Sequence, residues 1–481
     1  MGRSHRLDAL DYHGASLFGH ARRAFLNDLV YHRPFLGELE EEREGLMIAL
    51  AISLLGLFSF FFIIGLPVAF ALGISGILSY MLMEGGVEKI NYAILAQRIF
   101  YGPNSFLILA IPFFLLAGKL MNTGGITDRI YRFARSLVGH FKGGLGHVNV
   151  VASMFFAGMT GVATSEAAGL GVVEIKAMKD AGYDEDFAVA VAASASTMGP
   201  IIPPSVALVV YGVLASTSVG RLLIGGVVPG VMTGIALMIT VYIFAVRRNY
   251  PRDTKASFRQ ICRTFYFAVW PLMTPVILIG GMLGGVFTPT EAAGIAVLYA
   301  LILGCFVYGE ISFSHLRQIL RETAVETAVI TFIVSCAMLY GWVMMRSQIP
   351  VHMANFLLSL TNDPFWMLMI LNIFFLFVGC FMETLAAMTI LVPLLIPVIN
   401  KLGIDTVQFG LIMVYNLVIG LLTPPFGLVL FVMGRISGVP LFRIVRAVAP
   451  FYIPLLIILL LITFYGPFVT FLPDLLMGKP R

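Results

Sequence analysis

Charged residues are scarce in this chain. Of its 481 residues, 12% are Asp, Glu, Lys or Arg and 59% are hydrophobic, and the mean hydropathy is +0.93. Soluble domains carry about 25% charged residues. The composition therefore excludes a soluble globular protein and predicts a polytopic protein of the lipid bilayer. The net charge of +5 is loop charge, and it indicates orientation in the membrane rather than nucleic-acid binding.

Motifs of enzymes and metal centres are lacking too. The four cysteines lie far apart in apolar context, without metal or redox spacing. The chain has no Walker lysine motif, no His-Glu-x-x-His and no Gly-x-Ser-x-Gly. No nucleophile–base pair or metal-ligand trio falls within the apolar spans. We therefore expect no enzyme activity and no cofactor.

Residues 1–46 differ from the rest, because they are polar, carry six arginines and contain an acidic run from Glu38 to Glu44. They lack the apolar core of a secretory signal. Two interpretations remain open, namely a disordered arm or an over-extended start with Met47 as the initiator.

The remainder is an internal repeat with an offset of 221 residues. Gly182 and Asp184 align with Gly403 and Asp405, and Pro203-Pro204 aligns with Pro424-Pro425. Shared Gly-x-Asp and Pro-Pro at the same internal spacing are not expected by chance, so the fold is predicted to be duplicated. We place the first repeat at 47–246, a basic cytoplasmic linker at 247–264, the second repeat at 265–475 and a tail at 476–481.

Each repeat has the same predicted anatomy. Three apolar spans come first, near 47–65, 66–83 and 105–121 in one half and near 268–285, 288–308 and 325–344 in the other. An amphipathic piece follows. Segments 146–180 and 364–400 are short for two crossings and have small-residue centres, which predicts re-entrant helical hairpins. Broken helices at 186–216 and 406–435 and a final span complete each half.

Five crossings per half require the second repeat to be inverted. With the start of the first span outside, most loop arginines and lysines, such as Arg129 to Lys142 and Arg247 to Arg263, fall inside, as the positive-inside rule expects. The arginine-rich leader would then lie outside, in conflict with that rule.

The helix breaks are the most informative motif. Prolines remove backbone N–H donors, and broken backbone survives at membrane depth only inside protein or beside a watery cavity. Two such breaks in corresponding halves indicate the binding site of a secondary transporter. The breaking residues are Pro200, Pro203 and Pro204 in the first half, and Pro424 and Pro425 in the second.

Hydroxyl groups and glycines cluster at the breaks and at the hairpin centres. Hard monovalent cations prefer neutral oxygens of this kind, including unwound backbone carbonyls. We therefore predict one Na⁺ site per half, although each residue alone also suits tight helix packing. The candidates are Thr160, Gly161, Thr164, Ser165, Ser194, Ser196, Thr197, Met198 and Gly199 in the first half, and Thr384, Asn416, Gly420 and Thr423 in the second.

Acidic residues also occur in the hairpins. Glu166 and Glu383 are predicted at the tips, where intramembrane acids indicate function, although helix capping is an equal alternative. An anionic substrate is expected between the two tips, and Ser205 is a further candidate to contact it. Glu174, with Lys176 and Lys179, is predicted to be exposed.

These motifs closely resemble the large membrane subunit of tripartite ATP-independent periplasmic (TRAP) transporters. The resemblance covers about 47–475 and rests on Gly158 to Gly182-Tyr183-Asp184, Ser196 to Ser205, Phe381 to Thr384 and Asn416 to Gly427. It implies an elevator-type ion-transporter fold and a Na⁺-coupled importer of organic acids such as C4-dicarboxylates, sialic acid or sugar acids. Members often carry aspartate where Glu383 stands.

The resemblance also implies partners, a small four-helix membrane subunit and a periplasmic substrate-binding protein in the bacterial inner membrane system. The leader is too short to be the small subunit, which is therefore expected on a separate chain. The alternatives are a stand-alone dicarboxylate/Na⁺ symporter of the wider ion-transporter superfamily and, more distantly, an intramembrane enzyme or a passive channel.

Overall fold

The structure is a computed structural model that describes residues 53–62, 64–101, 104, 109–424 and 427–478. The leader 1–46 and Pro425 lie outside the described residues. All regular secondary structure in the described ranges is helical, and seven of these helices are long and apolar enough to cross a membrane. The prediction of an all-α polytopic membrane protein is confirmed.

The helices form two successive series. The first consists of α1 (Ser53–Phe62), α2 (Val68–Glu84), α3 (Tyr92–Tyr101), α4 (Ala110–Thr123), α5 (Ile126–Val138), α6 (Gly144–Thr160), α7 (Ala163–Asp180), α8 (Glu185–Ala195), α9 (Val206–Leu214) and α10 (Val219–Arg247). The second consists of α11 (Phe258–Leu283), α12 (Pro289–Leu301), α13 (Phe313–Arg346), α14 (Ile349–Leu360), α15 (Pro364–Phe381), α16 (Thr384–Lys401), α17 (Thr406–Gly420), α18 (Leu428–Ser437), α19 (Leu441–Phe464) and α20 (Pro467–Met477).

Helix starts recur with the period of the sequence repeat. The first residues of α2 and α12, of α7 and α16, and of α8 and α17 are each 221 positions apart. Local chemistry supports these starts. Before α12, for example, Thr288 and Glu291 form a reciprocal capping box and Pro289 occupies the first helical position. The same helical plan is therefore used twice.

The two series differ in two places. In the second, α13 is one helix of 34 residues, whereas α3 and α4 cover the corresponding positions of the first. The sequence has Gly102-Pro103 where the second half has Thr323-Ala324, and proline disfavours a continuous helix. The second difference is α20, which packs against α10 and has no counterpart in the first series.

The halves interlock around a common core. Helix α9 packs on α16, and its counterpart α18 packs on α7. In the same exchange, α8 packs on α19 and α17 on α10. In the most apolar stretch of α16, 72% is buried inside the protein, whereas in the most apolar stretch of α11 the buried share is 22%. Helix α16 thus lies in the interior, while α11 presents most of its surface outward.

The arms of the second hairpin are 18 residues each. At 1.5 Å per residue each arm measures about 27 Å, close to the roughly 30 Å of hydrocarbon. Length alone therefore does not distinguish a re-entrant hairpin from two crossings. The re-entrant hairpin stays a prediction, and both tips end against the helix breaks described below.

One end of the helices is joined by ion pairs between basic and acidic residues. Arg135 near the end of α5 pairs with Asp253 (2.7 Å), and Arg248 pairs with Asp184 in the turn before α8 (2.8 Å). Arg443 near the start of α19 pairs with Asp186 (2.7 Å). A hydrogen bond from the Tyr250 hydroxyl, together with Arg248, lowers the pKa of Asp184. These ion pairs hold α8 and α19 beside the turn that follows the first hairpin.

Candidate ion and substrate site

The first helix break lies between α8 and α9. After Ala195 the chain makes a 3₁₀ turn over Ser196–Met198 and stays non-helical until Val206. The prolines of this stretch supply no N–H groups, so the helix cannot continue. The Ser205 hydroxyl donates to the Pro200 carbonyl (2.5 Å) and accepts from the Leu208 N–H (3.2 Å). Ser205 thus starts α9 as its cap.

The second break follows Gly420, the last residue of α17. Thr423 donates its hydroxyl to the Ile419 carbonyl (2.9 Å), and the chain turns at Pro424 before α18 begins at Leu428. The Gly427 N–H donates to the Cys380 carbonyl (3.2 Å) of the second hairpin. The break is therefore attached by its backbone to the hairpin of its own half.

The first hairpin tip also lies close to the break of its own half. Gly161 ends α6 in the left-handed conformation, with φ of 64°. A Cβ atom there would lie 2.7 Å from the Pro204 carbonyl oxygen, so only glycine permits this approach. The side chains of Thr160 and Ser165, on either side of the tip, lie outside the described part of the structure.

A narrow cavity separates the two tips. Its walls come from both halves: Gly161 to Thr164, Pro200, Val206 and Ala207 from the first, and Glu383 to Leu385 and Leu421 from the second. Its volume of about 20 Å³ admits roughly one water-sized species. Sites for organic ligands measure about 300–1,000 Å³, so this conformation is closed to an organic acid.

Several predicted ion ligands present oxygens at or near the breaks. Ser194 Oγ and Thr384 Oγ1 are buried and make no hydrogen bond within the described residues. Ser196 and Thr197 donate to the carbonyls of Ala193 (2.9 Å) and Ser194 (2.6 Å), which leaves the hydroxyl lone pairs free to coordinate. Met198 and Gly199 contribute backbone to the buried turn.

Asn416 belongs to a buried amide relay rather than to the cavity wall. Its Nδ2 donates to Asn372 Oδ1 (2.8 Å) and to the Ile412 carbonyl (2.8 Å), and Asn372 Nδ2 donates to Thr463 Oγ1 (3.0 Å). Asn416 Oδ1 makes no hydrogen bond within the described residues. Asn372 and Thr463 were not among the predicted site residues, although an amide in the middle of an apolar span indicates a functional position.

The two tip acids occupy different environments. Glu383 lines the cavity and caps α16, accepting from the N–H groups of Leu385 (2.8 Å) and Ala386 (3.3 Å). Glu166 lies one turn inside α7, and a Cβ atom on Gly199 would be 2.7 Å from its Oε2. Glu166 therefore faces the break of its own half and not the space between the tips.

Glu166 is 1% exposed, and neither of its oxygens makes a hydrogen bond of normal geometry within the described residues, although Ser153 is a polar neighbour. A carboxylate beside neutral hydroxyl and carbonyl oxygens is a ligand set suited to a hard cation. Across the described part of the chain, no three His, Cys, Asp or Glu side chains converge. The first break thus offers alkali-cation ligands rather than a transition-metal set.

Two inward-facing hairpin tips beside two broken helices are the arrangement of a secondary transporter of the duplicated type. Residues 55–468 match the family described as "Tripartite ATP-independent periplasmic transporter, DctM component", and the chain belongs to that family.

Relatives of known name agree with this assignment. The chain is 44% identical over 414 residues to the sialic acid TRAP transporter large permease SiaM of Vibrio cholerae, covering 86% of this chain and 96% of the relative. It is 38% identical over 404 residues to the C4-dicarboxylate TRAP transporter large permease DctM of Pseudomonas aeruginosa, covering 84% and 94%. Because these relatives are transporter permeases, the chain is a multi-pass inner-membrane transport protein and not an enzyme.

A longer relative, the sialic acid TRAP transporter permease SiaT of Haemophilus influenzae, is 40% identical, with 86% of this chain matching 67% of it. Among solved structures, the YdaH transporter of Alcanivorax borkumensis resembles this fold with a TM-score of 0.58 at 15% identity, over 78% of this chain and 88% of the other. At that identity the likeness concerns the fold alone.

Proposed function

We propose that this chain is the ion-coupled, substrate-translocating subunit of a TRAP importer, and that it moves a small organic acid anion with Na⁺ by an elevator mechanism. One observation carries the proposal. Hydroxyl oxygens that are unpaired within the described residues lie near the first break, at Ser194, and at the second hairpin tip, at Thr384, and the cavity between the two tips is large enough for a dehydrated cation but closed to an organic acid.

The substrate class follows from charge and from the relatives. Glu383 lines the inter-tip cavity, so an anion entering there meets a carboxylate. One Na⁺ bound at each break would offset the carboxylates of Glu166 and Glu383 and so reduce their repulsion of the anion. Relatives are named for sialic acid and C4-dicarboxylates, which are both carboxylates. A small carboxylate anion is the substrate that the names of these relatives favour.

The elevator movement follows from the packing. One arm of each hairpin packs on the broken helix of the other half, α7 on α18 and α16 on α9, while α11 is largely outward-facing. When bound Na⁺ compensates the carboxylates, a body made of these hairpins and broken helices can move relative to the outer helices with less uncompensated charge. Moving an uncompensated charge would cost about 2.3 kcal/mol per 100 mV.

Two partners complete the proposed importer, a small membrane subunit and a periplasmic binding protein that selects the anion. The test is reconstitution in proteoliposomes with each component omitted in turn, using labelled sialic acid and a labelled C4-dicarboxylate. Uptake that requires all three proteins supports the proposal. Equal uptake by this chain alone would instead establish the stand-alone symporter, and non-saturable downhill flux would establish a channel.

A further inference from the structure

Glu174 is a buried acid that the proposed Na⁺ site does not use. Glu174 was predicted to be exposed together with Lys176 and Lys179, and this prediction was wrong for the glutamate. Both lysines are exposed, but Glu174 is 1% exposed. It lies on the face of α7 that carries Leu170 and Met178, one turn to either side, both of which are buried.

The polar atoms around Glu174 are left unpaired. Its Oε1 makes no hydrogen bond within the described residues, and neither does the hydroxyl of Tyr131 on α5, which lies within electrostatic range of Glu174. One turn along α7, Met178 contacts the Asn149 side-chain amide of α6, and the oxygen of that amide is unpaired as well. Each of α5, α6 and α7 therefore contributes one of these three unpaired atoms.

In the part of the chain that the structure describes, no cation compensates this carboxyl group. Arg135 of α5 is engaged with Asp253 through two hydrogen bonds (2.7 and 3.1 Å). His147 of α6 turns toward the rings of Phe141 and Tyr242. On its own helix, the ionisable group that acts on Glu174 is another carboxyl, Glu166.

The other elements packed against α7 do not supply a counter-charge either. The acids at the start of α8 are paired outward, Glu185 with Lys179 (2.5 Å) and Asp186 with Arg443 (2.7 Å). Helix α18 presents the uncharged Met433 to Gly171. Arg435, the basic residue of α18, is exposed, and within the described residues the charge that acts on Glu174 is that of a carboxyl group.

A carboxylate in such a place carries a large penalty. Removing an unpaired ion from water costs several kcal/mol even after the protein relaxes, whereas a neutral carboxyl group costs far less. We propose that Glu174 is a proton-binding site, and that the first hairpin holds one proton whenever α7 is packed against α6 as in this structure. Parting these helices wets the carboxyl group and releases the proton to water.

Proton binding at Glu174 goes beyond Na⁺ coupling, because it makes H⁺ a participant in the conformational cycle. Infrared difference spectroscopy of the purified protein tests it directly, without any transport activity. Wild type is expected to show a protonated-carboxyl C=O band that persists at neutral pH and is missing in Glu174→Gln. An identical band in wild type and Glu174→Gln would overturn the proposal.

A functional readout uses the complete importer in proteoliposomes at saturating Na⁺. Wild-type uptake should fall several-fold from acidic to alkaline pH, because alkaline pH removes the proton that the packed hairpin needs. Glu174→Gln, which mimics the neutral acid, should flatten this profile, while the exposed and paired Glu185→Gln should keep the wild-type profile. A Glu174→Gln profile that still follows wild type would contradict the proposal.

Discussion

Gly379 of α15 and Gly420 of α17 are in backbone contact, since a Cβ atom on Gly420 would lie 2.4 Å from the Cα of Gly379. Their repeat counterparts, Gly158 and Gly199, meet other groups. Gly158 faces the Pro203 carbonyl and Gly199 faces the Glu166 carboxyl. The two halves thus hold hairpin against break by different contacts, a direct glycine pair in the second half and a glycine–carboxyl contact in the first.

The glycine pair predicts a strong effect of Gly420→Ala. The added methyl group has no flexible side chain to displace, so α15 and α17 must separate, at a cost of about 1–3 kcal/mol. We expect a lower melting temperature in detergent and a loss of uptake. Gly294→Ala is the matched control, because nothing lies within 4 Å of that position in α12 and helical alanine gains about 0.5–1 kcal/mol. Equal melting temperatures for the two variants would argue against the contact.

Thr384→Ala tests the second Na⁺ site. It removes a buried hydroxyl oxygen that has no other partner in the described structure. We expect the Na⁺ concentration for half-maximal uptake to rise about tenfold, equivalent to about 1.4 kcal/mol. Thr389→Ala removes the same group from the same helix, but that hydroxyl donates to the Ala386 carbonyl (2.8 Å). The ion assignment fails if both variants show the wild-type Na⁺ dependence.

Variants of Glu383 should differ in their loss of stability and uptake, measured by melting temperature and by transport. Its carboxylate caps α16, and aspartate is among the preferred N-cap residues. Glu383→Asp should therefore retain both stability and uptake. Glu383→Ala should lose about 1 kcal/mol through the missing cap, and uptake with it, because the same group lines the inter-tip cavity. A Glu383→Asp variant as impaired as Glu383→Ala would show that side-chain length, and not capping, governs the site.

Arg221 holds the C-terminal helix α20 against α10. It is 9% exposed and forms an ion pair with Asp474 of α20, and it also donates to the Gly478 carbonyl (2.5 Å). Asp474→Ala leaves a buried charge with one fewer partner, so we expect a loss of about 1–3 kcal/mol, seen as a lower melting temperature.

Asp128→Ala is the matched control for this ion pair. Its pair with Arg132 is solvent-exposed on both sides, and such pairs contribute roughly 0–1 kcal/mol. Comparable destabilisation by Asp474→Ala and Asp128→Ala would contradict a stabilising role for the pair with Arg221.

The architecture could be predicted from the sequence because its determinants are local and duplicated. Prolines such as Pro200 and Pro203 break helices wherever they stand, and the 221-residue offset carries helix starts from one half to the other. The 34-residue length of α13 and the existence of α20 were not predicted, since apolar windows locate the middle of a helix better than its polar ends.

The site was predictable to the level of segments but not of side chains. The direction of a carboxyl group depends on packing between helices distant in sequence. For this reason Glu166 was expected between the tips and instead faces Gly199. Repeat symmetry gave no guidance, because the positions equivalent to Glu166 and Glu383 are Ala387 and Val162. Glu174 was misplaced because the charges of neighbouring Lys176 and Lys179 suggested a solvent-facing turn.

The central claim, Na⁺-driven transport by this chain, is tested most directly by accumulation in proteoliposomes that contain the large subunit, the small subunit and a loaded binding protein. With an inward Na⁺ gradient, the account predicts that labelled organic acid rises above its external concentration and that this accumulation collapses when K⁺ replaces Na⁺. Uphill accumulation that is the same in K⁺ as in Na⁺ would contradict it.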